Sequence, residues 1–288
     1  MGSIFIGSSA IFVRLSDLGP MTTGFYRLLF ALPFLVVWMS WERPEKYLRT
    51  TISSRDMWGL ILAGAFFAAD LALWNWSVDS TTIVNSTLLN NTAAFYVPLI
   101  MWILFKEKPS LKILITTLTG FVGCGFLVGE SFSISLQSLL GDIVALLSGV
   151  TVAFYLIVLK RIRNRMSTGV LMFWTGVCAM AFLGFFAYLS GETFWPLTFQ
   201  DFLSVFGQAV LAHTLGQGLI AYSLGKIPAT SAAIILFLAP VTAAVLGWII
   251  YAENLSMPKL FGMALVMVSI VLVGKKGSLF FNKKLKND

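Results

Sequence analysis

Long apolar runs follow one another along this chain, and they constrain its fold more than any other feature. Most of the ten runs hold 18 to 25 residues, a length that carries an α-helix across about 30 Å of hydrocarbon. Soluble proteins have roughly a quarter of charged residues, whereas this chain has 11%. The sequence therefore predicts an all-α integral membrane protein with ten transmembrane helices. The runs fall at about residues 1–15, 20–41, 57–78, 81–105, 110–129, 139–160, 168–189, 200–224, 228–251 and 257–274.

The basic residues alternate between the loops that join these runs. Of the 20 Lys and Arg residues, 17 follow even-numbered runs, Arg14 and Lys259 follow odd ones, and Arg27 lies inside the second run. Since cytoplasmic loops carry the excess of Lys and Arg, both termini are predicted to be cytoplasmic, in the plasma membrane (bacterial inner membrane). Only about a dozen residues precede Arg14, so we expect the first helix to be cut short or to begin upstream.

The net charge of +7 indicates membrane lipid, and not nucleic acid, as a partner of the basic residues. They form short clusters between apolar runs, where they meet lipid headgroups and cytoplasm. The two cysteines lie in apolar runs and there is a single histidine, so the chain supplies no disulfide framework and no metal cluster. No cofactor is predicted.

The chain matches itself at a shift of 146 residues. The segment WILFKEKPS (102–110) then falls on WIIYAENLS (248–256), with Trp, Ile, Glu and Ser matched. Each half holds five runs, and because five is odd the second half must enter the membrane inverted. Inverted repeats are typical of secondary transporters, whose solute site lies near the midplane between the halves. We therefore predict two inverted five-helix repeats around a central cavity. They are residues 1–130 and 131–276, followed by a basic cytoplasmic tail at 277–288.

Several short motifs occur in an order that resembles one known family. Gly19-Pro20 precedes Tyr26-Arg27, ALWNWS precedes LLNN, Glu107 and Glu253 stand in matched turns, and Leu238–Pro240 reads LAP. In this order, spacing and duplication, the chain resembles the EamA family of the drug/metabolite transporter superfamily over its whole length.

The resemblance implies ten helices in two inverted halves, with the third, fourth, eighth and ninth as the main walls of the cavity. It also implies movement of small metabolites, often amino acids and often outward. The family often has proline in the fourth helix where this chain has Ala94, and the proline here is Pro98. We therefore expect the hinge of the first half to be displaced, with Pro98 and Pro240 as structural or gating residues.

Arg27 and Asp70 are charged residues inside predicted spans. From a rise of 1.5 Å per residue, both lie roughly 10–14 Å beneath the outer surface, at the depth of Asn90 and Asn91. Charged groups at that depth usually pair or face water. One interpretation is that Arg27 and Asp70 pair across the second and third helices. The other is that Arg27 snorkels outward and Asp70 bonds a neighbouring hydroxyl. Tyr26 is grouped with Arg27 as structural or gating.

Asn90 and Asn91 share one side of the fourth helix, and the matching positions of the ninth helix form a stripe of mostly small residues. We therefore interpret both asparagines as facing the interior. The alternative is hydrogen bonding between helices, worth under about 1 kcal/mol for each residue.

Two helices offer polar pairs at i and i+4, which share one helical face. Asp70 with Trp74 could hold a cationic amine or a flat aromatic solute, or Trp74 could belong to the interfacial aromatic belt. His213 with Gln217 could carry a proton or act as neutral hydrogen-bonding groups. Tyr222 matches Trp76 in the repeat, as a gate or a belt residue. The predicted substrate-binding residues are Asp70, Trp74, Asn90, Asn91, His213, Gln217 and Tyr222.

These features favour a secondary transporter that exports a small-molecule metabolite such as an amino acid by alternating access. The open alternatives are uptake or exchange of a nucleoside-like metabolite such as S-adenosylmethionine and, from other classes, an intramembrane enzyme or a channel. An enzyme is disfavoured because the chain has one histidine and no HExxH motif. Proton coupling, facilitated diffusion and exchange fit equally well, as do a monomer and a dimer.

Overall fold

All the secondary structure in the described part of the chain is helical. The structure is a computed structural model and describes residues 1–13, 15–42, 52–81, 83–128, 138–195, 198–251 and 255–284. Arg14, Glu253 and the predicted boundary between residues 130 and 131 lie outside these ranges. The helices are α1 (Gly2–Gly7), α2 (Ser9–Val13), α3 (Pro20–Trp41), α4 (Ser54–Ser80), α5 (Ile83–Asn90), α6 (Ala93–Phe105), α7 (Leu111–Val128), α8 (Leu139–Arg163), α9 (Thr168–Ser190), α10 (Phe199–Gly207), a π-helical segment (Gln208–Gln217), α11 (Gly218–Leu224), α12 (Ala229–Ile235), α13 (Leu238–Tyr251) and α14 (Met257–Lys284).

Seven helical stretches are long and apolar enough to cross a membrane. They are Pro20–Trp41, Ser54–Ser80, Asn85–Phe105, Leu139–Arg163, Thr168–Ser190, Phe199–Leu224 and Ala229–Ile250. Three shorter apolar helices accompany them, at Gly2–Val13, Leu111–Leu127 and Met257–Val273. The predicted all-helical class with several spans is therefore confirmed.

Two of the spans begin with the same capping device. At the start of α4, Ser53 Oγ accepts from the Asp56 N–H at 3.2 Å, and Asp56 Oδ2 accepts from the Ser53 N–H at 3.4 Å. At the start of α10, Thr198 and Asp201 exchange the same two bonds at 3.0 and 3.1 Å. Because the first N–H groups of a helix lack partners within it, these reciprocal bonds fix where α4 and α10 begin.

The span Asn85–Phe105 is broken in its middle, between α5 and α6. Asn91 Nδ2 donates to the Thr87 carbonyl at 2.7 Å, and Thr92 Oγ1 donates to the Leu89 carbonyl at 2.5 Å. Such bonds compete with the backbone ladder of a helix. Both side chains therefore donate to carbonyls of the turn before the break, which also accept from the backbone N–H of the same two residues.

The span Ala229–Ile250 is broken in the same way, at residues 236–237, between α12 and α13. This break lies just before Pro240, whose missing N–H removes the bond to the carbonyl four residues earlier. The first-half hinge expected at Pro98 stays a prediction, but the helix break does not lie at that residue. The break at residues 91–92 precedes Pro98 by six residues, and Pro98 is buried inside α6. The residues at the break of the first half are Asn91 and Thr92, and not a proline.

The helices meet around α4. It packs against α8 and α9, while α3 packs along α9 and the π-helical segment packs against α1 and α3. The pieces α5 and α6 lie on α8, and α7 pairs chiefly with α14 and also contacts α5 and α6. The large buried side chains Phe67 and Tyr155 lie on α4 and α8, so the middle turns of α4 and α8 form the centre of the bundle.

Candidate functional site

Asp70 of α4 is an acid at the centre of the bundle, and it is buried. Its Oδ1 accepts hydrogen bonds from Asn90 Nδ2 at 3.0 Å and from Ser148 Oγ at 2.7 Å. Asn90 Nδ2 also contacts Ser148 Oγ. Hydrogen bonds to a charged group contribute about 1.5–3 kcal/mol each. These bonds hold Asp70 in place and tie α4, α5 and α8 together around one carboxylate oxygen.

Gly149, the residue after Ser148, explains how α8 comes so close to the broken helix. A Cβ at this position would lie 2.7 Å from Thr92 Oγ1, 3.0 Å from the Asn90 carbonyl oxygen and 3.1 Å from that of Leu89. Helices in membranes approach closely where small residues meet. The absent side chain therefore lets Ser148 reach Asp70 and Asn90.

A second group of polar side chains lies beside Asp70, on α3, α8 and the π-helical segment. Arg27 is 4% exposed, Tyr155 2% and His213 1%. The Phe67 ring stacks on both aromatic members, with centroids 4.8 Å from Tyr155 and 5.3 Å from His213. Arg27 lies within electrostatic range of Asp70, Tyr155 and His213. The two groups therefore form one buried cluster that contains both an acid and a guanidinium.

Several polar atoms of this cluster have no hydrogen-bond partner among the described residues. They are Arg27 Nε, the Tyr155 hydroxyl and both ring nitrogens of His213. A buried polar group left unpaired costs about 1–3 kcal/mol. A polar solute that bonded these atoms would remove that penalty, so the cluster has the chemistry of a binding site.

His213 owes its position to the π-helical segment. Within it, Thr214 Oγ1 donates to the Ala209 carbonyl, five residues back, at 2.8 Å. π-helical turns inside α-helices frequently occur at functional sites. Across from the imidazole, α9 has Gly176, where a Cβ would lie 3.9 Å from His213 Nε2. The glycine leaves room beside the ring.

Arg27 and Asp70 do not form the predicted ion pair. The Asp70 carboxylate is held by Asn90 and by the Ser148 hydroxyl, while the described residues include an ion pair elsewhere, between Arg165 and Asp56 at 3.2 Å. Nor does Arg27 snorkel to the surface, since it is 4% exposed. The alternative interpretation was therefore right for Asp70, which bonds a hydroxyl, and wrong for Arg27, which stays buried beside the acid.

The structure brings Asp70, Asn90 and His213 together but not every predicted binding residue. Asn91 donates to the carbonyl of Thr87 in its own helix. Trp74 and Gln217 lie one turn beyond Asp70 and His213 and are only partly buried. They border the cluster along the chain but make none of its described hydrogen bonds.

The remaining predicted residues lie away from the cluster. Tyr222 is 39% exposed, and its hydroxyl accepts a hydrogen bond from Lys226 Nζ at 2.7 Å. The Tyr26 hydroxyl donates to the Phe194 carbonyl at 2.6 Å, between the start of α3 and the segment after α9. Pro98 and Pro240 are buried after the two helix breaks.

Sequence reasoning missed Phe67, Ser148 and Tyr155. One available signal was that Ser148 and Tyr155 lie seven residues apart in an apolar run, two turns along one helical face. Phe67 carried no such signal, because an apolar residue in an apolar span is ordinary. Within the described residues, no three His, Cys, Asp or Glu side chains are grouped to hold an ion.

Comparison with known families decides the class of protein. A model of the EamA-like transporter family matches residues 1–129 and 139–275. The chain belongs to the EamA-like transporter family. It is thus a multi-pass membrane transporter, as the resemblance in the sequence indicated.

Curated relatives of this EamA-like protein are named in the same terms. An "Uncharacterized transporter" of Archaeoglobus fulgidus is 26% identical over 260 residues, which cover 85% of this chain and 84% of the relative. "Uncharacterized transporter YwfM" of Bacillus subtilis is 24% identical over 261 residues, which cover 88% and 84%. A solved structure described as "Crystal structure of protein" matches with a TM-score of 0.77 at 12% identity, over 96% of both chains. That similarity establishes the fold.

Proposed function

We propose that the protein is a secondary transporter that exports a small zwitterionic metabolite, such as an amino acid with an apolar or aromatic side chain. The observation that carries the proposal is the burial of Asp70 and Arg27 in one cluster without a direct ion pair between them. A charged group inside a membrane bundle usually marks a solute or ion pathway. Two opposite charges kept apart leave room for a molecule that carries both.

The solute's ammonium group would bind Asp70. Oδ1 is occupied by Asn90 and Ser148, whereas Oδ2 takes part in none of the described hydrogen bonds. The carboxylate would bind Arg27 and accept hydrogen bonds from the Tyr155 hydroxyl and from His213, whose polar atoms are unpartnered in this part of the chain. The Phe67 ring between Tyr155 and His213 would contact the solute's apolar part.

Alternating access between two inverted five-helix halves, residues 1–130 and 131–276, would expose this cluster to each side in turn. The inverted repeat is supported by devices that recur in both halves. The capping box of Ser53 recurs at Thr198, and the helix break at residues 91–92 recurs at 236–237. Packing recurs too, because the pair α4 and α8 has its counterpart in the π-helical segment and α1.

One extra residue distinguishes the span Phe199–Leu224 from the span Ser54–Ser80. The capping residues Ser53 and Thr198 are 145 positions apart, but Ser77 and Ser223 are 146 apart. A helix accommodates one additional residue by widening a turn, and the π-helical segment lies between these landmarks. We infer that this insertion turns His213 toward Arg27 and Phe67.

The residues that hold the acid have no polar counterparts in the repeat. At the shift of 146, Asp70, Asn90 and Ser148 correspond to Gly216, Leu236 and Gly2. The halves thus share a backbone design but differ at the positions that hold the acid. A solute with one polar end and one apolar end matches that difference.

Counterflow in proteoliposomes tests the proposed function. Vesicles preloaded with unlabelled phenylalanine or leucine should accumulate the radiolabelled amino acid saturably. Asp70→Asn and Arg27→Gln should each lower the initial rate about ten-fold or more, equivalent to roughly 1.4 kcal/mol. The control is Asp79→Asn, an exposed carboxyl of the same helix, which should keep the rate of the parent protein.

Other outcomes separate the alternatives. Competition by S-adenosylmethionine, with no counterflow of any amino acid, would replace the proposed substrate by a nucleoside-like one. Equal rates in the parent and in Asp70→Asn would refute the assigned site. A rate that follows an imposed pH gradient would establish proton coupling, and an indifferent rate would support exchange or facilitated diffusion.

A further inference from the structure

The N-terminus of α9 is capped by a residue of another helix. Ser167 occupies the N-cap position but makes no side-chain cap bond. Instead Glu42, at the C-terminal end of α3, accepts hydrogen bonds from the N–H of Thr168 at 2.9 Å and of Gly169 at 2.6 Å. This Glu42 clasp joins the end of α3 to the start of α9.

The other ends of the same two helices are joined in the same manner. Glu192, just after α9, accepts from the N–H of Met21 at 3.3 Å and of Thr22 at 2.8 Å. The N-cap of α3 is Gly19, and a Cβ there would overlap Glu192 Oε2. This Glu192 clasp therefore requires a glycine at position 19, a physical reason for the Gly19-Pro20 motif.

The two clasps lie near opposite surfaces of the membrane. Between them run the 22 residues of α3, which span about 33 Å at 1.5 Å per residue. Both clasps are formed in one conformation, and in that conformation Arg27, Asp70 and His213 are buried between them. A solute held at this cluster would be enclosed while both clasps stay closed.

We propose that Glu42 and Glu192 are the two gates of the transporter, each opening while the other stays closed. The inference rests on the alternating access proposed above. At the shift of 146, Thr22 falls on Thr168, and Glu42 falls on Tyr188, four residues before Glu192, so the two clasps are approximate images of each other under the inverted repeat. A motion that parts α3 from α9 at one end therefore has an image that parts them at the other.

The chemistry of the clasps suits repeated opening. Each consists of two charge-assisted hydrogen bonds to the positive end of a helix. Both carboxylates are partly exposed, so water can hydrate the carboxylate and the freed N–H groups when a clasp opens. The closed and open states of each clasp then differ little in free energy, as a gate requires.

A reporter cysteine tests the gates without a known solute. Gln217→Cys, in a background with Cys124→Ala and Cys178→Ala, is labelled by a membrane-impermeant maleimide added to either face of oriented membrane vesicles. Glu42→Ala should raise the rate of labelling from the membrane face near Glu42 relative to the rate from the face near Glu192. Glu192→Ala should raise the rate from the face near Glu192 relative to the rate from the other face. The expected change in the ratio of rates is roughly five- to thirty-fold.

Independent variants guard against misfolding of the glutamate variants. Gly19→Ala should reproduce Glu192→Ala. Gly169→Ala should reproduce Glu42→Ala, because a Cβ at Gly169 would lie 2.7 Å from Met39 Cα and 3.1 Å from Glu42 Oε2. The matched control is Asp56→Ala, which also removes a carboxylate from a helix N-terminus but leaves α3 and α9 joined; its ratio should equal that of the parent.

Two failures can be told apart. If the parent reporter is labelled from both faces and the glutamate variants leave the ratio unchanged, or shift it in the same direction, the clasps are not alternating gates. If the parent reporter is labelled from one face only, alternating access itself fails, and with it the proposed transport mechanism.

Discussion

Ser148 and Gly149 are adjacent residues of α8 that meet opposite requirements of the site. The Ser148 hydroxyl holds Asp70 and contacts Asn90, whereas Gly149 contributes by having no side chain. Its neighbours across the interface include backbone carbonyl oxygens, which cannot rotate away as a side chain could. The position of the acid thus depends on a residue that never touches it.

Gly149→Ala should destabilise the protein by about 1–3 kcal/mol, because its Cβ would overpack the broken turn. The melting temperature in detergent should fall by several degrees. Gly125→Ala, in α7, is the matched control, since a Cβ there meets nothing within 4 Å; it should leave the melting temperature unchanged or slightly higher. An equal fall in both variants would show that contact with the broken helix does not explain the effect.

The broken helix α5–α6 has side-chain hydrogen bonds to carbonyls beside the break, in addition to the backbone bonds there. Thr92→Val keeps the shape of residue 92 but removes the hydroxyl that bonds the Leu89 carbonyl. Because such a bond is worth about 0.5–1.5 kcal/mol, counterflow should slow about two- to ten-fold. Pro98→Ala should leave the rate near that of the parent, since the break lies before it. A larger loss in Pro98→Ala than in Thr92→Val would assign the hinge to the proline.

Element positions were largely predictable from the sequence, whereas side-chain partners were not. The apolar run at about 57–78 matches α4. The signals that predict this helix lie within it: its apolar residues, and Asp56 of the capping box at its start. The polarity of Asn91 was noticed, but its bond to Thr87 depends on where the chain bends. Ser148 was missed as a partner of Asp70 because it lies 78 residues away in the sequence. The periodicity of apolar residues predicts which face of a helix is buried, but not which helix packs against that face.

The alternation of basic loops makes a prediction about the whole molecule. Lys108 follows the span that ends at Phe105, and Thr193 follows the span that ends at Ser190; both side chains are exposed. By the positive-inside rule, Lys108→Cys should react with an impermeant maleimide only from the cytoplasmic side and Thr193→Cys only from the opposite side. Reaction of both from the same side would contradict the proposed orientation.

The acid and its two partners have no polar counterparts at the positions related to them by the repeat, and that inequality has a thermodynamic consequence. A solute that enters from the cytoplasm and one that enters from the opposite face approach Asp70 past different residues. The binding affinity and the transport rate can therefore differ between the two directions. At equilibrium, however, an asymmetric lining does not change the ratio of solute concentrations across the bilayer, because the lining performs no work over a complete transport cycle. Accumulation of the solute against its own gradient would need a second gradient or an exchanged solute, however asymmetric the protein is.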